Sequence, residues 1–428
     1  MEIKKIGTLE IKDTLTGAEN ALIEENGYAK RVPVAMIRGG TAQQLDPNAF
    51  GIPVLALTGD VSAMSKENAV TLSYVYGELS GVLTCKWQGS SSIAYPKKNY
   101  TVKFDRSFEA KSGWGAHDKY VLKANWVDAS AIRNVFGAVL WGQLIEDRAG
   151  LDERLKALPN KGAIDGFPIW ITINGQSQGF YTFTIPKEGW LFGMTGANTA
   201  EGYVCAEVGT LKEPVVGDGT DFKVEYAAGD KTALIASLNN MIAVVNAVLE
   251  GTSEASALDA VVDVQSVIDY YVFMAFTCHD DGISKNYILA TYDGVKWFMS
   301  PYDMDATFGN EAMPSGAGYG WANDWPMFDG GSGGDYPLGI NNLLDVVRKH
   351  YGPQIKARFQ NLRYFRLGEI NYIAELYKLA IQIPEVLMQE DYRLWPGRPG
   401  THTNNLTQML NYMRVRGAAL DWNVKSVE

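Results

Sequence analysis

The chain has 428 residues, of which 46% are apolar and 20% charged, with a formal net charge of −11. That globular composition and acidic balance argue against a disordered chain and against a broad electrostatic grip on nucleic acid, which needs clustered Lys and Arg. They are compatible with a site that holds divalent cations.

Cys85, Cys205 and Cys278 lie far apart among apolar or aromatic neighbours. They read as buried free thiols, and the four scattered histidines give no zinc spacing. The N-terminal MEIKKIGTLEIKDTL lacks the apolar core and cleavage motif of a secretory signal. The apolar stretch around Val267–Phe276 is too short and too interrupted to span a bilayer. The expectation is a cytoplasmic protein with no membrane partner.

Residues 1–50 are polar, with short β-like runs and a Gly39-Gly40 break, and read as an N-terminal appendage. IPVLALTGDV, NAVTLSYVYG, GVLTCKWQG and YTVKF then follow as strands, making a sheet-rich region over about 51–125. A helix is predicted to open at Asp128 or Ser130 and run to about Ile145. FPIWITINGQSQGFYTFTI is a hairpin turning at Asn174-Gly175. Residues 231–250 and 256–278 carry helical spacing. NYILATYDGVKWFMS is a second hairpin turning at Asp293-Gly294, residues 306–340 form a Gly-rich loop, and 340–382 and 404–421 read as mostly helical. The expected fold is α+β and two-lobed: a domain over 51–428 with a sheet-rich lobe to about 190 and a helical lobe from about 191. The cleft between lobes is the default ligand site.

Two constellations carry chemistry. The first is acidic. Asp281 and Asn286 repeat the D-x-x-x-x-N spacing of a kinase catalytic loop, in which the Asp accepts a hydroxyl proton and the Asn helps hold Mg²⁺. Asp303 and Asp305 sit just past the next strand, where a metal-binding Asp must arrive. Mg²⁺ is hard and takes one or two carboxylates plus phosphate oxygens, so Asn286, Asp303 and Asp305 are an adequate set. The neighbouring Asp280 reads as a turn cap. The second constellation is Gly89-Ser90-Ser91, a turn able to offer backbone N–H groups to phosphate, followed by Lys97, Lys98 and Lys103 as candidate phosphate cations.

Four blocks, GSSSIAYPKKNYTVKF, DASAIRNVFGAVLW, INGQSQGFY and HDDGISKNYILATYDGVKWFMSPYDMDATFG, resemble in order those of the CotH (spore-coat protein H) kinases. The resemblance implies a divergent protein-kinase-like fold, ATP with Mg²⁺ or Mn²⁺ as cofactors, and transfer to Ser or Thr hydroxyls of a protein phosphoacceptor. By position, Asp281 matches the catalytic Asp, Asn286 the motif Asn, Asp303 or Asp305 the metal-binding Asp, and Lys97 or Lys98 the basic pair. Arg133 matches the helix Arg. Where the family usually has Arg-Gly before its serines, this chain has Gln88-Gly89. A second reading of a different class is a structural or binding component of a phage particle, with virion proteins as partners, that keeps the fold. An EF-hand is excluded because PYDMDATFG lacks the twelve-residue ligand spacing.

Overall fold

The computed structural model describes residues 20–25, 28–33, 45–279, 281–310, 339–399 and 402–425. The Gly39-Gly40 break, Asp280 and most of the Gly-rich loop lie outside the described residues. The chain divides into two compact units, Met1–Phe50 and Gly51–Glu428. In the first, β1 (Asn20–Glu25) and β2 (Tyr28–Pro33) form an antiparallel hairpin.

The second unit begins with seven strands: β3 (Val54–Thr58), β4 (Val70–Tyr76), β5 (Leu79–Gln88), β6 (Asn99–Phe108), β7 (His117–Lys123), β8 (Gly166–Ile173) and β9 (Gln176–Thr184). Alternation dictates most of their faces. Leu72 and Tyr74, Leu83 and Cys85, and Val102 and Phe104 are buried between less buried neighbours, whereas at the end of β7 Tyr120, Val121, Leu122 and Lys123 are all buried. Aromatic rings fill the inside: Tyr74 meets Phe104 edge-on at 4.8 Å, and Tyr120 lies 4.7 Å from Phe183. The turn at Asn174 and Gly175, both at positive φ, closes β8 onto β9 as a two-residue hairpin.

These strands close into a barrel in the order β3-β4-β5-β6-β7-β9-β8, sealed by the parallel pairing of β3 with β8. That corrects the expectation of a sheet ending near residue 125. The β8–β9 hairpin reads as a separate unit in sequence, yet β9 pairs with β7 and β8 with β3, so all four sheet edges find partners. A second correction concerns the first helix. It begins at Arg133, not at Asp128, and runs to Ile145 as α1. Asp128 reaches forward instead, its Oδ2 accepting the Arg133 amide at 2.9 Å and its Oδ1 accepting the Ser130 amide at 3.0 Å.

The remainder is helical around a second sheet, which the reading of the sequence reduced to one hairpin. β10 (Gly202–Ala206), β11 (Phe222–Ala227), β12 (Tyr287–Thr291) and β13 (Trp297–Pro301) run antiparallel in the order β11-β10-β12-β13. Every residue of β10, β12 and β13 is buried, as befits strands covered on both faces. The helices are α2 (Glu153–Ala157), α3 (Lys231–Leu249), α4 (Val264–Thr277), α5 (Asn342–Tyr364), α6 (Glu369–Ala380), α7 (Glu385–Leu394) and α8 (His402–Lys425). α5 kinks at Tyr351, two residues before Pro353. By length and composition α3 alone among the described helices is apolar enough to cross a membrane. Here its Leu234, Leu238, Met241, Ile242, Val245 and Val248 form a buried stripe.

α4 is the central helix. All its residues but Gln265 are buried, and Asp263 caps it by accepting the Ser266 amide at 3.2 Å. It ends at Cys278 in the left-handed conformation, which turns the chain directly into the acidic segment.

Lys97 belongs to the scaffold. Its side chain is fully enclosed, pairs with Asp391 of α7 at 2.6 Å, and donates to the Phe180 carbonyl of β9. Asp391 also accepts the Phe180 amide at 2.8 Å and binds Arg398, whose guanidinium reaches the carbonyls of Asn125 and Asp128. Gly179, at φ +88°, makes this possible: a Cβ there would lie 2.1 Å from Asp391 Oδ1. Burial lowers the Lys97 ammonium to about 8. Removing one member of a buried charge cluster typically costs about 3–5 kcal/mol. We therefore expect Lys97→Ala to lower the denaturant midpoint sharply, whereas Lys103→Ala, on the exposed outer face of β6, leaves it unchanged within error.

Candidate active site

The β12–β13 hairpin brings the acidic residues together. Its register pairs Tyr287 with Pro301, so Asn286 and Tyr302 stand opposite each other at its open end. The Tyr302 amide donates to the Asn286 carbonyl at 3.0 Å. Asn286 and Asp303, at φ +54° and +51°, both occupy the left-handed region, and each bends its side chain out of the strand direction. Such non-glycine conformations persist only where the surroundings hold them.

His279 supplies part of that hold. Its ring is fully buried, and Nε2 lies 3.2 Å from the Asn286 carbonyl and 3.1 Å from the Tyr302 carbonyl. Two carbonyl partners require Nε2 to carry the proton. Burial lowers its basicity, against the pull of Asp281 and Asp303, and keeps the ring neutral. The loop from Asp281 to Ile283 packs tightly on this ring: a Cβ on Gly282 would lie 2.2 Å from His279. Tyr270 of α4 donates to the Gly282 carbonyl at 2.7 Å, and Asn341, the cap of α5, donates to the Ile283 carbonyl at 2.7 Å.

Within this frame the Asn286 amide donates to Asp281 Oδ2 at 3.2 Å. That leaves the side-chain Oδ1 of Asn286 and the second Asp281 oxygen to face other partners. α1 holds the segment after β13. Asn134 accepts the Met304 amide at 2.8 Å, and Gly137 gives room for the Met304 side chain. Arg133, fully buried, binds Asp128, the Thr307 carbonyl at 3.1 Å, Asn405 and Gln408. It is a structural tie between this segment and α8.

The cation at the site is one that the sequence reading did not single out. Lys123, the last residue of β7, reaches Asp303 Oδ1 at 2.8 Å. Burial opposes the charge on both groups, but the pairing prevails: Asp303 is held below the ordinary carboxylate range and Lys123 above the ordinary lysine range. Burial, and then the charge of Asp303, push Asp305 well above its ordinary value; Asp281 and Asp128 add to this. Lys123 and Lys187 flank the Tyr302 ring at 5.8 and 4.7 Å from its centroid, and Lys187 is paired with Glu225 of β11.

The lysines singled out from sequence are engaged elsewhere. Lys97 is in the scaffold cluster. Lys98 donates to the Ile93 and Tyr95 carbonyls and closes its own turn. Lys103 pairs with Asp118 at 3.7 Å on the barrel exterior. It also lines an open groove of about 460 Å³ with Lys86, Thr101, Lys119 and Trp190, on the face from which Lys123 projects. The Gly89-Ser90-Ser91 turn, continued by a single 3₁₀ turn, lies beside the site through register. Gln88 pairs with Asn99, and Asn99 Oδ1 accepts the amide of Ala124, the residue after Lys123, at 2.7 Å. Lys123 had one readable signal, its place at the end of the second strand after Gly89.

Among the described residues no three His, Cys, Asp or Glu side chains gather to hold a metal. The oxygen set is two carboxylates and one carboxamide, which fits Mg²⁺ that keeps water and phosphate oxygens, and does not fit zinc. The family model for CotH kinase protein matches residues 85–420. The chain belongs to the CotH kinase family. No curated protein matches it. The match begins inside β5 and ends inside α8, so it takes in the Gly89 turn, Lys123, α1 and the whole acidic hairpin. It leaves out β3 and β4, although both are barrel staves. A kinase-like phosphotransferase is the activity that membership of the CotH kinases suggests.

The raised Asp305 makes a pH prediction. A carboxyl raised on folding binds more protons in the native state, so stability falls as pH rises above the ordinary carboxylate value and through the raised one. In metal-free buffer Asp305→Asn is expected to melt higher than wild type at neutral pH, with the gap closing in acid. Thermal unfolding across a pH series checks it; a constant gap contradicts it.

Proposed function

We propose that this CotH-family protein transfers the γ-phosphoryl group of ATP to a Ser or Thr hydroxyl of a protein acceptor. The observation that carries the reading is the Lys123–Asp303 ion pair beside the Asp281–Asn286 pair. It joins one cation from the barrel to a carboxylate from the second sheet, next to a loop with catalytic-loop spacing. The chain order supports the same reading. A strand, a Gly-containing turn, a strand, and a third strand ending in Lys is the order in which kinases place the phosphate-covering loop and the phosphate-binding lysine.

The roles follow from position. Asp281 accepts the proton of the acceptor hydroxyl as its oxygen attacks the γ-phosphorus; the bond to the β-phosphate oxygen breaks and ADP departs. Asn286 orients Asp281 through its amide. Lys123 turns from Asp303 to the phosphates. Asp303, Asp305 and the side-chain Oδ1 of Asn286 are the groups to hold Mg²⁺ or Mn²⁺, which would neutralise phosphate oxygens when bound. The Gly89–Ser91 turn closes over the phosphates from the barrel side.

The test is phosphate incorporation from radiolabelled ATP into a panel of Ser-rich acceptors, run beside nucleotide titration. Asp281→Asn is expected to lose turnover by on the order of 10²–10⁴, the usual cost of a positioned base, with nucleotide affinity nearly intact. Asp303→Ala loses turnover and affinity together. Lys123→Met weakens nucleotide binding more than Lys98→Ala or Lys103→Ala does. Asp280→Asn keeps most activity. No incorporation by wild type across the panel contradicts the proposal, and an inactive Asp280→Asn beside an active Asp281→Asn moves the base by one residue.

A further inference from the structure

We propose that Lys187 is a second phosphate-binding cation of this site, oriented by Glu225. The assignment rests on the phosphotransferase reading and adds to it a residue outside the D-x-x-x-x-N and D-x-D motifs. Lys187 lies on the segment that leaves β9 of the barrel and leads to β10 of the second sheet, so it stands where the two sheets meet. Its Nζ is 4.7 Å from the Tyr302 ring centroid, and that of Lys123 is 5.8 Å from the same ring. Tyr302 immediately precedes Asp303, so two ammonium groups bracket the residue that leads into the metal-binding carboxylates.

Glu225 makes the placement specific. Its side chain is 8% exposed and binds Lys187 from β11, while Lys223 reaches its other oxygen at 3.1 Å. The Glu225 carboxylate both neutralises the Lys187 ammonium and fixes the direction in which it points. The next residue, Glu188, pairs with Lys119 of β7, and its carbonyl accepts from Tyr203 of β10. The linker is thereby tied to both sheets around Lys187, which fixes its ammonium while Lys123 exchanges partners. Charge also favours the role. Asp281, Asp303 and Asp305 together with a triphosphate exceed what Lys123 and one divalent ion balance, and a second ammonium reduces the excess.

Calorimetric titration with MgATP, beside chemical denaturation without nucleotide, tests this on wild type, Lys187→Met, Lys187→Arg and Glu225→Gln. Lys187→Met is expected to weaken MgATP binding about tenfold or more, the scale of one charge-assisted hydrogen bond. Lys187→Arg keeps most of the affinity, Glu225→Gln falls between, and the denaturation midpoint of Lys187→Arg stays at the wild-type value. Unchanged affinity in Lys187→Met, with wild type binding MgATP, overturns the assignment and leaves the phosphotransferase reading standing. Equal loss of affinity and of midpoint in the Met and Arg variants also overturns it, because it marks a packing role. Wild type that binds no MgATP overturns both.

Discussion

The ion pair between Lys123 and Asp303 is the constraint on which the site depends. Among the described residues it joins the barrel to the hairpin carrying the acidic residues by full charges, at 2.8 Å and largely out of solvent. Such a pair gains little net stability, because desolvation offsets attraction. What it does is fix a relation: the end of β7 must face the end of β13. The left-handed turn at Asp303, the His279 clamp on Asn286 and Tyr302, and the Asn134 bond to Met304 all serve that placement.

Around it lies a scaffold of buried charge. Asp128 and Arg133 tie the start of α1 to Thr307 and α8; Lys97, Asp391 and Arg398 tie α7 to β9 and to the loop before α1. Each cluster is satisfied by several hydrogen bonds, the condition under which buried ions are tolerated. Their sequence positions resemble functional motifs because geometry constrains them as tightly as chemistry would. Gly179 shows this: its missing side chain permits Asp391 to reach a backbone amide.

Local patterns made much of this legible in the sequence. The Asn174-Gly175 and Asp293-Gly294 turns, the helix read at 231–250, and the loop holding Asp281 and Asn286 all rest on short-range signals, while the helix read at 256–278 starts only at Val264, after a separate 3₁₀ segment at Ala255–Ala260. Barrel closure was not legible, because β3 and β8 pair across more than a hundred residues and nothing local marks the partner. β10, buried at every residue, carries no amphipathic alternation to announce it, whereas β11 (FKVEYA) does alternate and was passed over. The lysines were hard to tell apart for a related reason. Lys97, Lys98 and Lys123 each sit at the edge of a strand, and only register and burial separate the one beside Asp303 from one sealed in the core and one closing its own turn. His279 was passed over as one of four scattered histidines; its adjacency to the D-x-x-x-x-N loop was the available clue.

Thermal unfolding of the wild-type protein with Mg²⁺ alone, ATP alone and both together tests the account most directly. If Asp303, Asp305 and Asn286 hold a metal that carries the nucleotide, and Lys123 exchanges Asp303 for phosphate, only the combination stabilises strongly. At a concentration ~100 times Kd the stabilisation should be roughly 2.7 kcal/mol. No shift with millimolar MgATP, or the same shift with ATP in the presence of a chelator, would contradict it.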